Sequence, residues 1–215
     1  MPDPSVPTDH FRLVLGTNNQ KKREELVTLI GNRNVDLFSL GDFQNIVEVE
    51  ETGTTFETNA ELKAVGYAGQ TGEWVLAEDS GLSVAALNGD PGVYSARFSG
   101  ENATDETNNA MLLEKMQGVS ERTAWYTCHI AISDPDGIVV ARAEAKCYGQ
   151  ILNAPRGDAG FGYDPLFELP EYDLTFAQLG TSVKSVLSHR ARAYRKIMPL
   201  LLGILQSGST SAGAV

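Results

Sequence analysis

Two adjacent carboxylates, Glu78 and Asp79, follow a predicted apolar strand and precede a predicted turn at Ser80-Gly81. We predict that they lie where a strand ends, because open α/β sheets bind their ligands at the carboxyl ends of strands. Neighbouring carboxylates repel each other unless a cation holds them together, and hard cations prefer carboxylate oxygens. The pair therefore indicates a site for Mg²⁺, or for Mn²⁺ in its place. A solvated acidic turn is the alternative.

A second acidic cluster, Glu48-Val49-Glu50-Glu51, precedes Thr52-Gly53. Runs of charged residues usually form solvated surface, and this run alone indicates nothing more. It contributes to the predicted cation site only if the chain folds back and brings it close to Asp79.

The segment from Thr17 to Lys22 lies between a predicted strand and a predicted helix. The free amides at a helix N-terminus point outward and favour an anion, and the side chains here add further donors. It is not a Walker loop, because the glycines and the Gly-Lys-Ser/Thr ending are missing. The segment predicts a phosphate site, and a capped helix with exposed lysines is the alternative. Its candidate residues are Thr17, Asn18, Asn19, Gln20, Lys21 and Lys22.

Lys63 falls on the apolar face of a predicted helix, seven residues after Phe56 and four before Tyr67. Lysine is rarely buried without a partner. Either its side chain extends outward along that face to reach water, or it points into a polar pocket and meets an anion. We favour the pocket.

Two later segments carry the residue types that recognise a flat ligand. Between Gly157 and Pro165 the glycines surround aromatic residues and an acid, and such glycines allow close approach while a ring can stack on a base. The start of the last helix concentrates cationic donors. The alternatives are a tight turn and an ordinary basic helix surface. The candidates are Phe161, Gly162, Tyr163, Asp164, Lys184, His189 and Arg190.

Composition narrows the classes of protein. The chain has 215 residues and a net charge of -11, which disfavours a broad nucleic-acid surface, because such surfaces are basic. No apolar run approaches the roughly 20 residues of a membrane span, and Met1 to His10 lacks the order of a signal peptide. We read the two cysteines, Cys128 and Cys147, as reduced core residues. The pattern predicts a cytoplasmic protein.

The predicted elements alternate between strands and helices in the first half and then form an antiparallel hairpin. Strands are predicted at 11–16, 35–40, 74–77 and 82–87, helices at 21–30, 56–69 and 104–116, a hairpin at 124–133 and 138–151, and a final helix at 188–205. This order is typical of an α/β fold with a mixed sheet. We expect one domain over 11–205, with tails at 1–10 and 206–215.

Six motifs in this order resemble the inosine triphosphate pyrophosphatase family, the XTP/dITP diphosphatases, over nearly everything from Leu13 to Leu205. The first motif is Thr17-x-Asn19-x-x-Lys22. The second combines Glu50-Glu51-Thr52-Gly53 with Asn59-Ala60 and Lys63, and the third is Asp79-Ser80-Gly81-Leu82. The others are Pro91-Gly92-Val93-Tyr94-Ser95-Ala96-Arg97, Gly160-Phe161-Gly162-Tyr163-Asp164-Pro165 and Ser188-His189-Arg190.

The resemblance implies a role for each matching position. Thr17 to Lys22 would hold a triphosphate with the help of Lys63, and Asp79 would activate water and contact Mg²⁺. Glu50 would be a second metal ligand, and Glu78, an aspartate in many bacterial relatives, would contact the metal directly or through water. Ser80, Phe161 to Asp164, Lys184, His189 and Arg190 would bind substrate, the later ones around the base. The implied fold has two lobes on a long mixed sheet with the cleft between them, and the implied assembly is a homodimer.

The implied reaction is water attack on the α-phosphorus of ITP, dITP or XTP, with release of a monophosphate and pyrophosphate. Two other classes stay open. A purine-nucleotide sensor would bind without hydrolysis, and the candidates Glu50 and Asp79 argue against it. A general nucleotide phosphohydrolase would cut off the terminal phosphate instead.

Overall fold

The computed structural model describes residues 11–30 and 35–211, without the side chains of Leu29, Thr181 and 205–211. Over these residues the chain forms a mixed sheet of seven strands in the order β2-β1-β3-β4-β5-β6-β7. The strands are Phe11–Leu15 (β1), Val35–Ser39 (β2), Trp74–Val84 (β3), Thr123–Ser133 (β4), Val139–Ile151 (β5), Phe167–Leu169 (β6) and Leu174–Thr175 (β7). The helices are Gln20–Ile30 (α1), Phe56–Thr71 (α2), Asp105–Lys115 (α3), Phe176–Leu187 (α4) and His189–Ser211 (α5).

The sheet is parallel at one end and antiparallel at the other, which confirms the predicted α/β class. β1 pairs in parallel with β2 and β3, whereas β3, β4 and β5 pair antiparallel. The long β4–β5 hairpin follows from the Asp-Pro-Asp-Gly turn that joins its strands. Its exposed positions alternate with buried alanines along β5, as expected for a strand with one covered face.

Buried apolar side chains divide into clusters that give the molecule two lobes. In the first lobe, one cluster packs α1 and α5 against the sheet and another packs α2 against the opposite face. In the second lobe, the later parts of β3 and β5 pack with α3, β6 and Phe176 of α4. The long strands β3, β4 and β5 run through both lobes, so residues in their middle lie between them.

The prediction of two strands separated by a turn at Ser80-Gly81 is wrong. β3 is continuous from Trp74 to Val84 and pairs with β4 along its length. Gly81 is required by packing, because a Cβ there would collide with Ser95 Oγ and the Gly92 carbonyl oxygen. Gly81 is therefore present because the segment with Gly92 and Ser95 lies close against β3, and not because the chain turns there.

Four further elements differ from the sequence expectation. β6, β7 and α4 were not predicted, and α5 continues to Ser211 instead of ending at Leu205. The predicted tail at 206–215 is thus helical as far as Ser211, and residues 1–10 and 212–215 lie outside the described residues. Cys128 and Cys147 are buried and unpaired, as predicted. Within the described chain, no helix is long and apolar enough to cross a membrane.

Candidate active site

A cavity of about 370 Å³ opens between the two lobes. It lies beside the middle of β3, because β1 pairs with β3 only as far as Leu15 and Leu76. Beyond that point the chain leaves the sheet through Thr17 and enters α1, so β1 no longer covers the edge of β3 at Asp79 and Ser80, which line the cavity. Asp79 therefore enters the cavity from within a strand, next to the carboxyl end of β1.

The phosphate end of the cavity, defined by Thr17 to Asn19, Lys22, Glu51, Lys63 and Asp79, begins at the N-terminus of α1. Thr17 Oγ1 accepts the Asn19 amide at 3.1 Å, and Asn19 Oδ1 accepts the Lys22 amide at 3.1 Å. Lys22 Nζ lies 3.2 Å from Glu78 Oε1. This turn therefore has a fixed shape and presents polar groups to the cavity.

The predicted residues of this turn do not all reach the cavity. Thr17, Asn18, Asn19 and Lys22 line it. Gln20 is exposed and donates to Glu24 on the same helix at 2.9 Å. Lys21 lies at the mouth, where its Nζ is 3.7 Å from Asp105 Oδ2.

Asp79 is nearly buried and is held by three groups. Its Oδ2 accepts a hydrogen bond from Asn59 Nδ2 at 3.1 Å, its Oδ1 accepts the Ser80 amide at 3.0 Å, and Lys63 Nζ lies 3.5 Å from Oδ1. Burial raises the pKa of Asp79 above its ordinary value, and Lys63 and Lys22 oppose that rise. A carboxylate with a raised pKa is a stronger base than an exposed aspartate.

Lys63 points into the cavity, where it meets carboxylates. Its Nζ donates to Glu51 Oε1 at 2.5 Å in addition to the contact with Asp79. Burial lowers the pKa of Lys63, but the charges of Asp79 and Glu51 outweigh it, so the net shift is upward. Lys63 is thus a buried, charged ammonium at the phosphate end.

Glu51, rather than Glu50, lines the cavity, and Glu50 is exposed. Burial raises the pKa of Glu51, and the charge and hydrogen bond of Lys63 bring it below its ordinary value. The exposed Glu48 also lines the cavity. The acidic run does fold back toward Asp79.

Glu78 is turned away from the cavity into the core between α1 and α5. Arg190 Nε lies 3.0 and 2.9 Å from its two oxygens, and Cys128 Sγ lies 3.7 Å from Oε2. Burial alone would raise the pKa of Glu78, but Arg190 and Lys22 hold it well below its ordinary range. Glu78 is therefore the counter-ion of two cations, and its oxygens face those cations.

The residues predicted to surround a base meet at the other end of the cavity, which we call the base end. It is defined by Tyr126, Phe161 to Asp164, Lys184, His189 and Arg190. Lys184 Nζ lies 4.1 Å from the centre of the Phe161 ring and donates to Asp164 Oδ2 at 2.6 Å. The Phe161 amide donates to the same oxygen at 2.9 Å. Asp164 thus fixes both the lysine and the loop.

His189 and Arg190 are buried at this end. His189 stacks on Tyr126 with ring centroids 4.6 Å apart. Burial, followed by the charges of Arg190 and Lys184, lowers the pKa of His189 well below its ordinary value, so its imidazole is neutral at physiological pH. Its Nδ1 is buried and has no hydrogen-bond partner within the described part of the chain.

Several site residues were not predicted. Glu25 accepts Arg190 Nη1 at 2.5 Å and lies 3.6 Å from Lys184 Nζ, so one carboxylate joins the two cations of the base end. Asn59 holds Asp79, and Asp105 accepts the Gly162 amide at 2.8 Å. Helical spacing could have identified two of them, since Glu25 is three residues after Lys22 and Asn59 is four before Lys63.

The donor set at the phosphate end suits a hard divalent cation. Asp79 and Glu51 supply carboxylate oxygens on the wall of the cavity. In the ranges 11–30 and 35–211, no cluster of three or more His, Cys, Asp and Glu has the arrangement of a metal site. Mg²⁺ usually takes one or two carboxylates and completes its shell with water and substrate phosphates. The residues therefore fit a cation that binds together with a triphosphate.

Comparison with known proteins gives consistent matches. A model of the Ham1 family matches residues 13–200. The dITP/XTP pyrophosphatase of Rhodopirellula baltica is 49% identical over 204 residues, which cover 94% of this chain and 98% of that protein. That of Desulforamulus reducens is 50% identical over 193 residues, 89% of this chain and 96% of that protein.

Solved structures give the same result. The Ham1 protein of Staphylococcus aureus superposes with a TM-score of 0.82 at 38% identity, covering 89% of this chain and 98% of that one. A HAM1 protein from Coxiella burnetii gives a TM-score of 0.84 at 36% identity, covering 90% of this chain and 99% of that one.

Proposed function

Because the chain belongs to the Ham1 family, we propose that it hydrolyses the non-canonical purine nucleotides ITP, dITP and XTP to the monophosphate and pyrophosphate. One observation carries the proposal: a single cavity joins Asp79, Lys63 and the α1 N-terminus at one end to Lys184, His189 and Arg190 at the other. The first group suits a triphosphate and the second suits a base rich in oxygen acceptors. Such an activity removes damaged nucleotides from the pool.

Asp79 is the general base of the proposed reaction. Its carboxylate accepts a proton from water, the water oxygen bonds to the α-phosphorus, and the bond from that phosphorus to the bridging oxygen breaks. The electron pair of that bond leaves with pyrophosphate. Asn59 and the Ser80 amide fix the orientation of Asp79, and a positioned base of this kind contributes about 10²–10⁴-fold to a rate.

Lys22, Lys63 and the amides of α1 bind the phosphates and stabilise the charge that develops on them. We propose Mg²⁺, or Mn²⁺ in its place, as the cofactor, with Asp79 and the acidic run at Glu50-Glu51 as its protein ligands. Such a cation, when bound, neutralises phosphate charge. Among the acidic run, the geometry favours Glu51, which lines the cavity.

The base end selects the purine by its C6 substituent. Hypoxanthine and xanthine carry an oxygen there, which pairs with the N–H donors of Lys184, His189 or Arg190, whereas the amino group of adenine meets donor with donor. Guanine has the correct oxygen at C6 but carries an amino group at C2. Buried donors left unpaired can reject an analogue by about 10²-fold or more. We therefore expect kcat/KM for ITP and XTP to exceed that for GTP, and kcat/KM for GTP to exceed that for ATP.

The test is a product assay that separates pyrophosphate from orthophosphate, run with ITP, dITP, XTP, GTP and ATP. The proposal predicts pyrophosphate from the first three and a kcat/KM for ATP lower by about 10²-fold. Orthophosphate as the product would indicate a general nucleotide phosphohydrolase. Binding without any turnover would indicate a nucleotide sensor.

The resemblance also supports three broader proposals: a single catalytic domain over 11–205, a homodimer and a cytoplasmic location, where nucleoside triphosphates are made and used. Light scattering coupled to size exclusion tests the dimer, since a monomer would have the 23.2 kDa of one chain. Limited proteolysis followed by mass spectrometry tests the domain limits.

A further inference from the structure

The short 3₁₀ turn Gly92–Arg97 belongs to a motif whose role the reaction above does not explain. Hydrogen bonds hold it to the later part of β3 and to other segments of the second lobe. Ser95 Oγ accepts the Leu82 amide of β3 at 2.9 Å and donates to the Gly92 carbonyl at 2.6 Å. From the second lobe, Tyr163 Oη donates to the Ser95 carbonyl at 2.8 Å, and the buried Asn108 donates to the Ala96 carbonyl at 3.2 Å.

This fastening presents the last residue of the turn, Arg97, at the rim of the cavity. Arg97 lines the cavity, and 47% of its side chain is exposed. Its Nη1 lies 3.9 Å from Glu51 Oε2, and its guanidinium lies 5.2 Å from the centre of the Tyr94 ring. The other oxygen of Glu51 accepts Lys63. Arg97 therefore belongs to the phosphate end, where it contacts the Glu51 oxygen that Lys63 does not bind.

The cations of the phosphate end differ in how firmly carboxylates hold them. Lys22 Nζ lies 3.2 Å from Glu78, and Lys63 Nζ lies 2.5 Å from Glu51 and 3.5 Å from Asp79. The single ion pair of Arg97 in the described structure is the longest of these, at 3.9 Å in a half-exposed position. Because an exposed pair of this kind contributes little free energy, Arg97 can exchange Glu51 for a phosphate at small cost.

A guanidinium suits this role, since its planar fork of N–H donors binds phosphate oxygens in pairs. Contacts lead from Asp79 through Lys63 and Glu51 to Arg97. In the proposed reaction the base end binds the purine and Asp79 acts at the α-phosphorus, so we expect the β- and γ-phosphates to lie along this row of side chains. We propose that Arg97 binds the β- and γ-phosphates and stabilises the pyrophosphate as it leaves. This inference rests on the proposed function, and it adds a substrate-binding residue to that site.

The experiment compares Arg97→Ala and Arg97→Lys with wild type and with Arg142→Ala. Arg142 is a matched control, because 48% of its side chain is exposed, it pairs with Glu61, and it lies on β5 outside the cavity. The readout is inhibition of ITP turnover by inorganic pyrophosphate and, separately, by IMP, in the presence of Mg²⁺. Pyrophosphate reports the β- and γ-phosphate positions, and IMP reports the base and α-phosphate positions.

We expect Arg97→Ala to raise the inhibition constant of pyrophosphate by about tenfold or more, as for loss of a charged hydrogen bond, and to leave that of IMP unchanged. Arg97→Lys should give an intermediate value, and Arg142→Ala should match wild type. An unchanged pyrophosphate constant in Arg97→Ala, or an equal rise for IMP, overturns the inference.

The proposed function and this inference fail in different ways. If wild type releases no pyrophosphate from ITP, the proposed function fails, and calorimetric titration of pyrophosphate with Mg²⁺ then compares wild type with Arg97→Ala directly. Equal affinities in that titration overturn the role of Arg97, and about tenfold weaker binding by the variant supports it.

Discussion

The two ends of the cavity hold their positive charges in different ways. At the base end, Lys184 and Arg190 are 5% and 2% exposed, and both are joined by Glu25. At the phosphate end, the exposed fraction of the side chain rises from 10% for Lys63 to 17% for Lys22 and 47% for Arg97. The buried network at the base end suits discrimination between bases. The more open end allows cations to exchange carboxylates for phosphates.

The two ends are also connected. Glu78 binds Arg190 of the base end through both oxygens and lies 3.2 Å from Lys22 of the phosphate end. Breaking a buried pair leaves an uncompensated charge, which costs more than the pair contributes. Substitutions at the base end should therefore affect stability and selectivity together, whereas those at the phosphate end should affect turnover.

Chelation should have the largest effect and should act on the phosphate end. With excess EDTA we expect pyrophosphate release from ITP to stop, because the cavity offers carboxylates for a divalent cation that shares the phosphates. Added Mg²⁺ or Mn²⁺ should restore it. Full activity in excess EDTA would show that the carboxylates serve another purpose.

Asp79→Asn should lower kcat by about 10³-fold or more, since the change removes a base and a cation ligand together. Nucleotide affinity should largely survive, because Lys22, Lys63 and the α1 amides remain. Steady-state kinetics and equilibrium binding of ITP measure the two quantities. Retention of more than about a tenth of kcat would exclude both roles.

Arg190→Ala should act on the base end and lower kcat/KM for ITP and XTP by about 10²-fold. The difference between these kcat/KM values and the kcat/KM for GTP should therefore become smaller. The free energy of unfolding should also fall by about 3 kcal/mol, because Glu78 and Glu25 each lose one of two cationic partners. Arg195→Ala, on the exposed side of the same helix, is the control. If the ratio of kcat/KM for ITP to kcat/KM for GTP does not change, Arg190 takes no part in base selection.

Glu78→Gln should give the smallest effect and should depend on pH. The folded-state pKa of Glu78 is far below its ordinary 4.5, so its stabilisation is complete above pH 4.5 and is lost as pH falls toward the folded-state value. We expect the free energy of unfolding of wild type to exceed that of the variant by about 2 kcal/mol at pH 7. Below pH 4.5 the difference should shrink by about 1.4 kcal/mol per pH unit. Urea unfolding at pH 7 and at lower pH measures this, and a difference independent of pH would contradict the buried ion pair.

The sequence predicted the regular elements better than their connections. α1, α2, α3 and the β4–β5 hairpin have strong periodicity or clear caps, and the structure confirms them. β6 and β7 span only three and two residues, too few for an alternating pattern. α4 is interrupted by Gly180, which has a φ of 74°, and the interruption hides its helical period.

The candidate site shows the same division. Residue types and order located Asp79, Lys63 and the base-end residues in one cavity. The inward orientation of Glu78 and the bridging position of Glu25 depend on how α1 packs against α5, which local sequence does not encode. Gly81 was misread as part of a turn for a related reason, because the segment that requires a glycine there is more than ten residues away in the chain.

The most direct test of water attack on the α-phosphorus is hydrolysis of ITP in ¹⁸O-labelled water, followed by mass spectrometry of both products. We predict that one ¹⁸O atom enters IMP and that pyrophosphate stays unlabelled, because the bond to the bridging oxygen breaks on its α-phosphorus side. Label in pyrophosphate, or in orthophosphate released beside IDP, would place the attack on another phosphorus and contradict the role assigned to Asp79.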